Sequence, residues 1–141
     1  MQKNLFLDTN VLIDFFASRS DCVAASTIIS MAQKGYYRLL VSSLSFATAS
    51  YIMSAHHKKT NEEIVAMFAK FVEICNVTPV DSLVIDEAIA SGFSDFEDAM
   101  QYYSAIRGGA DAIVTRNDND FVSSHIPVYE PRTFLEMLTQ G

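Results

Sequence analysis

The sequence predicts an α/β protein, a three-layer α/β/α sandwich around a central parallel sheet of about five strands. Two observations carry that prediction. Of five short apolar runs, "NLFLD", "YRLLVS", "NVTPV", "DAIVT" and "IPVYE", the first four are each separated from the next by segments of helical period. Strands joined through helices lie parallel, and the helices then cover both faces of the sheet. No repeat, low-complexity tract or Pro/Gly-rich linker divides the 141 residues. A chain of this length is expected to form a single domain, residues 1–141, burying about 70 % of the surface it exposes when unfolded.

The elements follow in order. Residues 4–8 form the first strand, after which Val11, Leu12, Phe15 and Phe16 keep a helical period. Asp21 is placed to cap a second helix, whose apolar residues Val23, Ala24, Ile28 and Met31 precede Gly35, a C-terminal stop. Residues 37–42 return as strand and residues 43–55 as helix. The cleanest signal begins near Thr60, where Ile64, Phe68, Phe71, Val72 and Cys75 make one apolar stripe of an amphipathic helix. Pro79 places the third strand at an edge. Two helices split at Gly92, and the last helix starts at Pro131, where proline suits a first turn.

Composition narrows the function. The net charge of −7 argues against passive, whole-surface binding to nucleic acid, so any such contact is local or mediated by cations. No apolar run approaches the roughly 18 residues of a membrane span, and "MQKNLFLDTN" carries charge where a signal peptide is apolar, so a cytoplasmic protein is expected. Cys22 and Cys75 stand far apart in apolar, helical settings without a Cys/His cluster, and read as buried free thiols rather than zinc ligands.

In parallel sheets ligands bind outside the carboxyl ends of the strands. Asp8, Thr9 and Asn10 follow the first strand, and Arg116, Asn117, Asp118, Asn119 and Asp120 follow "DAIVT". The helix of "SDFEDAMQYYSAIRGG" opens with Ser94, Asp95, Glu97 and Asp98. Three acidic groups from distant parts of the chain are thus expected to converge. Two unit charges about 5 Å apart repel by roughly 3 kcal/mol at an effective dielectric near 20. A divalent cation or retained protons would relieve that cost, and carboxylates, an Asn carbonyl and water suit Mg²⁺ or Mn²⁺.

Each stretch also has a plain structural reading. Asp8 serves equally as a helix cap, and Ser94 with Glu97 has the spacing of a capping box. Asp95 favours the helix dipole, while Asp98 lies a turn deeper, where the dipole is weaker. "RNDNDF" reads as an Asx-rich turn anchored by Phe121. Asp14, Asp81, Asp86, Glu87 and Asp111 carry no spacing signal and read as surface or capping residues. His56, His57, Lys58 and Lys59 form the solvated end of a helix, and this one dense cationic run is a candidate contact for phosphates or an acidic partner.

Taken together, "LFLDTNVLID", "DFEDAMQYYSAIRGGADAIVTRNDNDF" and "IPVYEPRTFLEML" resemble the PIN domain family, metal-dependent ribonucleases that include the VapC toxins of bacterial toxin–antitoxin pairs. The resemblance implies a PIN-like fold and a catalytic, metal-binding set of Asp8, Asp98 and Asp120, completed by Asn117. It implies that Thr9, Asn10 and Thr115 orient these groups through hydrogen bonds. The family's helix after the second strand usually offers a glutamate, and here Thr48 stands at the matching position. One anionic ligand is therefore missing, for which Glu62, Glu63 or Glu87 would have to compensate in space.

The resemblance further implies Mg²⁺ or Mn²⁺ as cofactor, a single-stranded or looped RNA substrate, an antitoxin-like protein partner and a homodimer. Tyr102 and Tyr103 are candidates for stacking on bases, although adjacent helical residues cannot share one face. The rival expectation is an inactive PIN-like module that binds RNA or a protein partner. A phosphoryl-transfer enzyme of another doubly wound fold fits poorly. A haloacid-dehalogenase-like phosphatase expects an aspartate where Asn10 stands, and a receiver domain expects an acidic pair before its first helix and a lysine where Arg116 stands.

Overall fold

The computed structural model describes residues 3–19, 22–121 and 123–140. Asp21, expected to cap the second helix, lies outside the described residues. Strands β1 (Asn4–Leu7), β2 (Arg38–Ser42), β3 (Asn76–Thr78), β4 (Ala112–Val114) and β5 (Val128–Tyr129) form one sheet in the order β3-β2-β1-β4-β5. Every neighbouring pair is parallel, as the sequence predicts. Helices α1 (Thr9–Phe16), α2 (Cys22–Gln33), α3 (Ser43–His57), α4 (Asn61–Phe71), α5 (Ser82–Ala90), α6 (Phe96–Arg107) and α7 (Pro131–Gln140) complete the α/β/α sandwich.

Side chains alternate across the sheet, so each strand feeds two cores. Leu5, Leu7, Leu39 and Val41 pack on one face with Val11, Leu12, Ile28, Ile29, Phe71 and Phe134. Phe6, Leu40 and Ile113 pack on the other with Tyr102 and Ala105 of α6. On the first face Phe16, Phe46, Phe68 and Phe71 join α1, α3 and α4 through ring contacts with centroids 5.0 to 6.4 Å apart.

Local chemistry sets the ends of several elements. Thr60 caps α4 in a reciprocal capping box with Glu63, and Gly35 at φ +92° closes the turn after α2. Gly108 admits no Cβ, because one there would run into the Thr78 side chain where the end of α6 crosses β3. Pro79 directly follows β3, which is an edge strand as expected.

Three apolar expectations need correction. Val23 is 74 % exposed, and the buried side of α2 is instead Ala24, Ala25, Ile28 and Ile29. Helix α4 ends at Phe71, so Val72 turns outward and Cys75 lies in the bend before β3 rather than on a helix. Both cysteines are free and only half-buried, and burial pushes the Cys75 thiol up to about 11.

The chain runs outward from β1 through β2 to β3, then returns to β4 on the far side of β1. The order thus reverses between β1 and β4, and a crevice opens there beyond the carboxyl ends of the strands. Asp8 and Thr115 are the residues immediately past those two ends.

Candidate functional site

Asp8 leaves β1 with extended backbone and caps α1, its carboxylate accepting the Thr9 N–H at 2.9 Å. Capping and a place in the crevice are therefore two properties of one residue. Its Oδ1 also accepts from Gln101 Nε2 at 3.0 Å, and its Oδ2 accepts from Thr115 Oγ1 at 2.8 Å, with a longer contact to Asn10 Nδ2 at 3.5 Å. Asn10 bridges the crevice, donating to Thr115 Oγ1 and accepting the Arg116 N–H. Thr115 Oγ1 in turn accepts the Asn117 N–H at 3.1 Å, which begins the turn after β4.

Gln101, on α6 and 1 % exposed, is a hub that the sequence reading missed. Its Nε2 lies within 3.0 Å of acceptors on Asp8, Thr9 and Ser45, and its Oε1 accepts from Ser42 Oγ. Thr9 Oγ1 and Ser45 Oγ are themselves 2.7 Å apart. A buried polar network of this kind is stable only when each member is satisfied, and it locks the ends of β1 and β2 to α3 and α6. The one available signal was spacing: Gln101 follows Asp98 by three residues and so shares its helix face.

Helix α6 begins differently from the expected capping box. Asp95, not Ser94, is the N-cap, and its Oδ1 accepts the Asp98 N–H at 3.0 Å. Glu97 is therefore released from a capping role and lines a cleft of about 280 Å³ with Asp8, Asp98, Gln101 and Thr48. The expected compensators lie elsewhere: Glu63 belongs to the α4 cap, Glu62 sits in the same exposed turn, and Glu87 pairs with Arg107 at 2.5 Å.

The acidic groups act on one another. Asp98, half-buried, is pushed up to about 7, first by burial and then by the charges of Asp95, Asp120, Asp8 and Glu97. Glu97 is exposed overall, and its carboxyl is raised by the burial it has, then by Asp95 and Asp8. Asp120 lies in a 3-10 turn (Asp118–Phe121) that Phe121 anchors in the core at 2 % exposure. Asp120 is close enough to contribute to the rise at Asp98, while Asn117 lines the cleft itself. Among the described residues, no group of three or more His, Cys, Asp or Glu side chains is drawn together closely enough to hold a metal ion as it stands.

One further expectation changes. Asp14 is a buried residue, not a surface one: its side chain is 2 % exposed and lies between two arginines, with Arg19 Nε at 2.8 Å from Oδ1 and Arg116 Nε at 2.8 Å from Oδ2. The second contact lacks hydrogen-bond alignment, so Oδ2 is paired by charge alone. Of the two adjacent tyrosines one is in the core, as expected: Tyr102 is 3 % exposed, its hydroxyl accepting the His125 N–H, and Tyr103 is the half-buried member of the pair. His56 and His57 do end a helix, closed by Lys58 in the left-handed conformation. Asp81 caps α5 as expected, and Asp111 accepts the Asn4 N–H.

The family model described as PIN domain matches residues 4–119, from β1 into the turn after β4. Among solved structures, the chain is similar to VapBC2 from Rickettsia felis bound to a DNA fragment from their promoter, with TM-score 0.64 and 18 % identity, covering 90 % of this chain and 97 % of that one. A toxin–antitoxin complex from Klebsiella pneumoniae matches with TM-score 0.65, 19 % identity and coverage of 90 % and 97 %. VapC20 from Mycobacterium tuberculosis, a sarcin-ricin loop cleaving toxin, matches with TM-score 0.60, 14 % identity and coverage of 77 % and 86 %. At these identities the likeness is one of fold. No curated protein sequence matches the chain.

Proposed function

The chain belongs to the PIN domain family, and from that premise we propose that it is a divalent-metal-dependent endoribonuclease, acting as one domain on single-stranded or looped RNA. The observation that carries the reading is that the Asp98 carboxyl, raised first by burial, is raised further by Asp95, Asp120, Asp8 and Glu97, carboxylates from three separate parts of the chain. Like charges brought together without a cation raise one another's affinity for protons, and the same demand for positive charge suits a divalent ion.

The donor chemistry fits Mg²⁺ or Mn²⁺: the available atoms are carboxylate and amide oxygens, the ligands hard cations prefer. Asp8, Asp98, Asp120 and Asn117 would hold the ion, and Glu97 supplies the carboxylate that Thr48 does not. Such an ion, when bound, polarises a phosphate oxygen and lowers the pKa of water. The chain's own part is to hold Asp8 through Gln101, Thr115, Asn10 and the Thr9 N–H, so that its carboxylate direction is fixed before substrate arrives. Holding the ion would require Asp98 to give up the proton that its raised carboxyl keeps near neutrality.

The same reading makes the protein a candidate toxin of a toxin–antitoxin pair, active in the cytoplasm as a homodimer. An antitoxin-like partner that inserts an arginine into the acidic cleft would be bound by charge-assisted pairing. Among the described residues no helix is long and apolar enough to cross a membrane. The second reading, an inactive module that binds RNA or protein, is favoured by one residue, Thr48, which faces the cleft without a charge.

Calorimetric titration with Mn²⁺, paired with cleavage of a fluorescent single-stranded RNA, tests the proposal on the wild type and on Asp98→Asn. Binding and cleavage in the wild type, both lost in the variant, are expected. Absence of Mn²⁺ binding up to millimolar concentration, together with absence of cleavage, would overturn the nuclease reading in favour of the binding module.

A further inference from the structure

Asp14 raises a separate question, because a carboxylate almost fully withdrawn from water costs several kcal/mol even when paired. One cation would neutralise it, yet two are drawn up. Arg19 and Arg116 come from opposite sides of the crevice, one just after α1 and one just after β4, and each turns its Nε to a different oxygen of Asp14. Both arginine side chains stay about one third exposed, at 32 % and 37 %. Arg19 is further braced by Nη2 donating to the Asn10 carbonyl, and the Arg116 backbone by its N–H on Asn10 Oδ1.

Two arginines and one aspartate leave one surplus positive charge. That charge faces the same cleft as Asp8, Glu97 and Asp98. Arg116 and Asn117 also line a second hollow of about 380 Å³, with Arg132 and Glu130 in its wall, so Arg116 stands between two depressions.

We infer that Arg19 and Arg116, held side by side by the buried Asp14, form a phosphate-binding subsite for the RNA backbone beside the carboxylate cluster. The inference rests on the nuclease reading for its ligand and adds what that reading lacks, a cationic contact in a chain of net charge −7. Arginine suits the task, since Arg116, anchored through Nε, still presents its forked Nη groups to a phosphate, and Arg19, whose Nη2 also serves the Asn10 carbonyl, keeps Nη1. An anchored fork also loses less side-chain freedom on binding than a free one. Arg116 then directs the strand from the cleft towards the second hollow.

The test is fluorescence anisotropy of a labelled single-stranded RNA oligonucleotide with the full chain in EDTA, where cleavage is suppressed, across a salt series. Arg19→Gln and Arg116→Gln are each expected to weaken binding about fivefold at 0.1 M salt and to flatten the slope of log K against log salt by about 0.7, the contribution of one phosphate contact to a single strand. Arg116→Lys keeps the charge and is expected to keep the slope. If Arg116→Gln fails to fold, judged by thermal unfolding, Arg19→Gln and Arg116→Lys carry the test.

Wild-type affinity and slope in well-folded Arg19→Gln would overturn the inference and leave the arginines as counter-ions of Asp14, whether or not the protein cleaves RNA in Mn²⁺. Loss of binding and slope in the glutamine variants of a wild type that does not cleave would support the subsite while removing the nuclease reading. A wild type that neither binds nor cleaves would overturn both.

Discussion

Asp8 and Asp98 face one cleft from different elements. Asp8 is 6 % exposed and held by a backbone N–H, a glutamine amide and a threonine hydroxyl, whereas Asp98 is half-buried and raised to about 7 by burial and by other carboxylates. Neutral donors fix Asp8 in direction without cancelling its charge. Like charges around Asp98 do the opposite, leaving a need for positive charge that none of the groups raising its carboxyl supplies. The difference divides the site into a preorganised half and a half whose energetics depend on what binds.

The largest effect is expected where that need is concentrated. Asp98→Asn should lower kcat/KM for RNA cleavage in Mn²⁺ by roughly a hundred- to a thousandfold, the equivalent of several kcal/mol of charge stabilisation. Single-turnover kinetics would read it directly. An unchanged rate would mean that the crowding at Asp98 has no part in the chemistry.

On the preorganised side, Gln101→Ala leaves Asp8 charged but removes the donor that aims it. We expect Mn²⁺ affinity and cleavage to fall about 10- to 100-fold, as for other partners that orient a metal ligand. Stability should fall by about 1–3 kcal/mol, because Ser42, Ser45 and Thr9 lose a buried partner. Calorimetry and urea unfolding separate the two consequences. A stability loss without a loss of Mn²⁺ affinity would make Gln101 purely structural.

Glu97→Gln sharpens the comparison on the crowded side. The expected loss of Mn²⁺ affinity is on the order of tenfold, the effect of one carboxylate on a partly solvated dication. Thr48→Glu in the same background should restore it, since Thr48 lines the same cleft. Failure of the second substitution to rescue the first would show that the two positions do not address the same ion.

These contrasts follow how the molecule could be read. The strands were legible because a parallel sheet buried on both faces leaves nearly continuous apolar runs, such as Leu5 to Leu7 and Leu39 to Val41. Helix α4 was legible from its apolar stripe, up to Phe71, where the turn into β3 overrides the periodicity of Val72 and Cys75, while its Thr60–Glu63 capping box went unread. Asp14 and Gln101, polar residues that face inward, were not legible. Asp14 sits among Val11, Leu12, Ile13 and Phe15, and only the two arginines that arrive from distant positions explain its burial. Ser94 and Asp95 are adjacent candidate caps, and the choice between them, which sets Glu97 free, is made by backbone angles at the entry to α6.

The smallest expected effect concerns stability without metal, and its sign follows from the raised carboxyl of Asp98. In the unfolded chain that carboxyl ionises near pH 4, and in the folded chain near 7. Between those values the folded state binds more protons than the unfolded state, so stability falls as pH rises through this window and the penalty is complete above it. About three pKa units would correspond to roughly 4 kcal/mol, but solvent reaches the half-buried group and screens it, which reduces the expectation to about 1–2 kcal/mol. In EDTA, Asp98→Asn should therefore unfold at the same temperature as the wild type at pH 4 and at a higher one at pH 8. Saturating Mn²⁺ should close the gap at pH 8 by stabilising the wild type alone, since a ligand that binds only the folded state adds RT ln(1 + [L]/Kd). A gap that persists unchanged in Mn²⁺ would mean that repulsion at Asp98 is real but not relieved by a divalent ion, and the crowded half of the cleft would then have to be a site for an inserted cationic side chain.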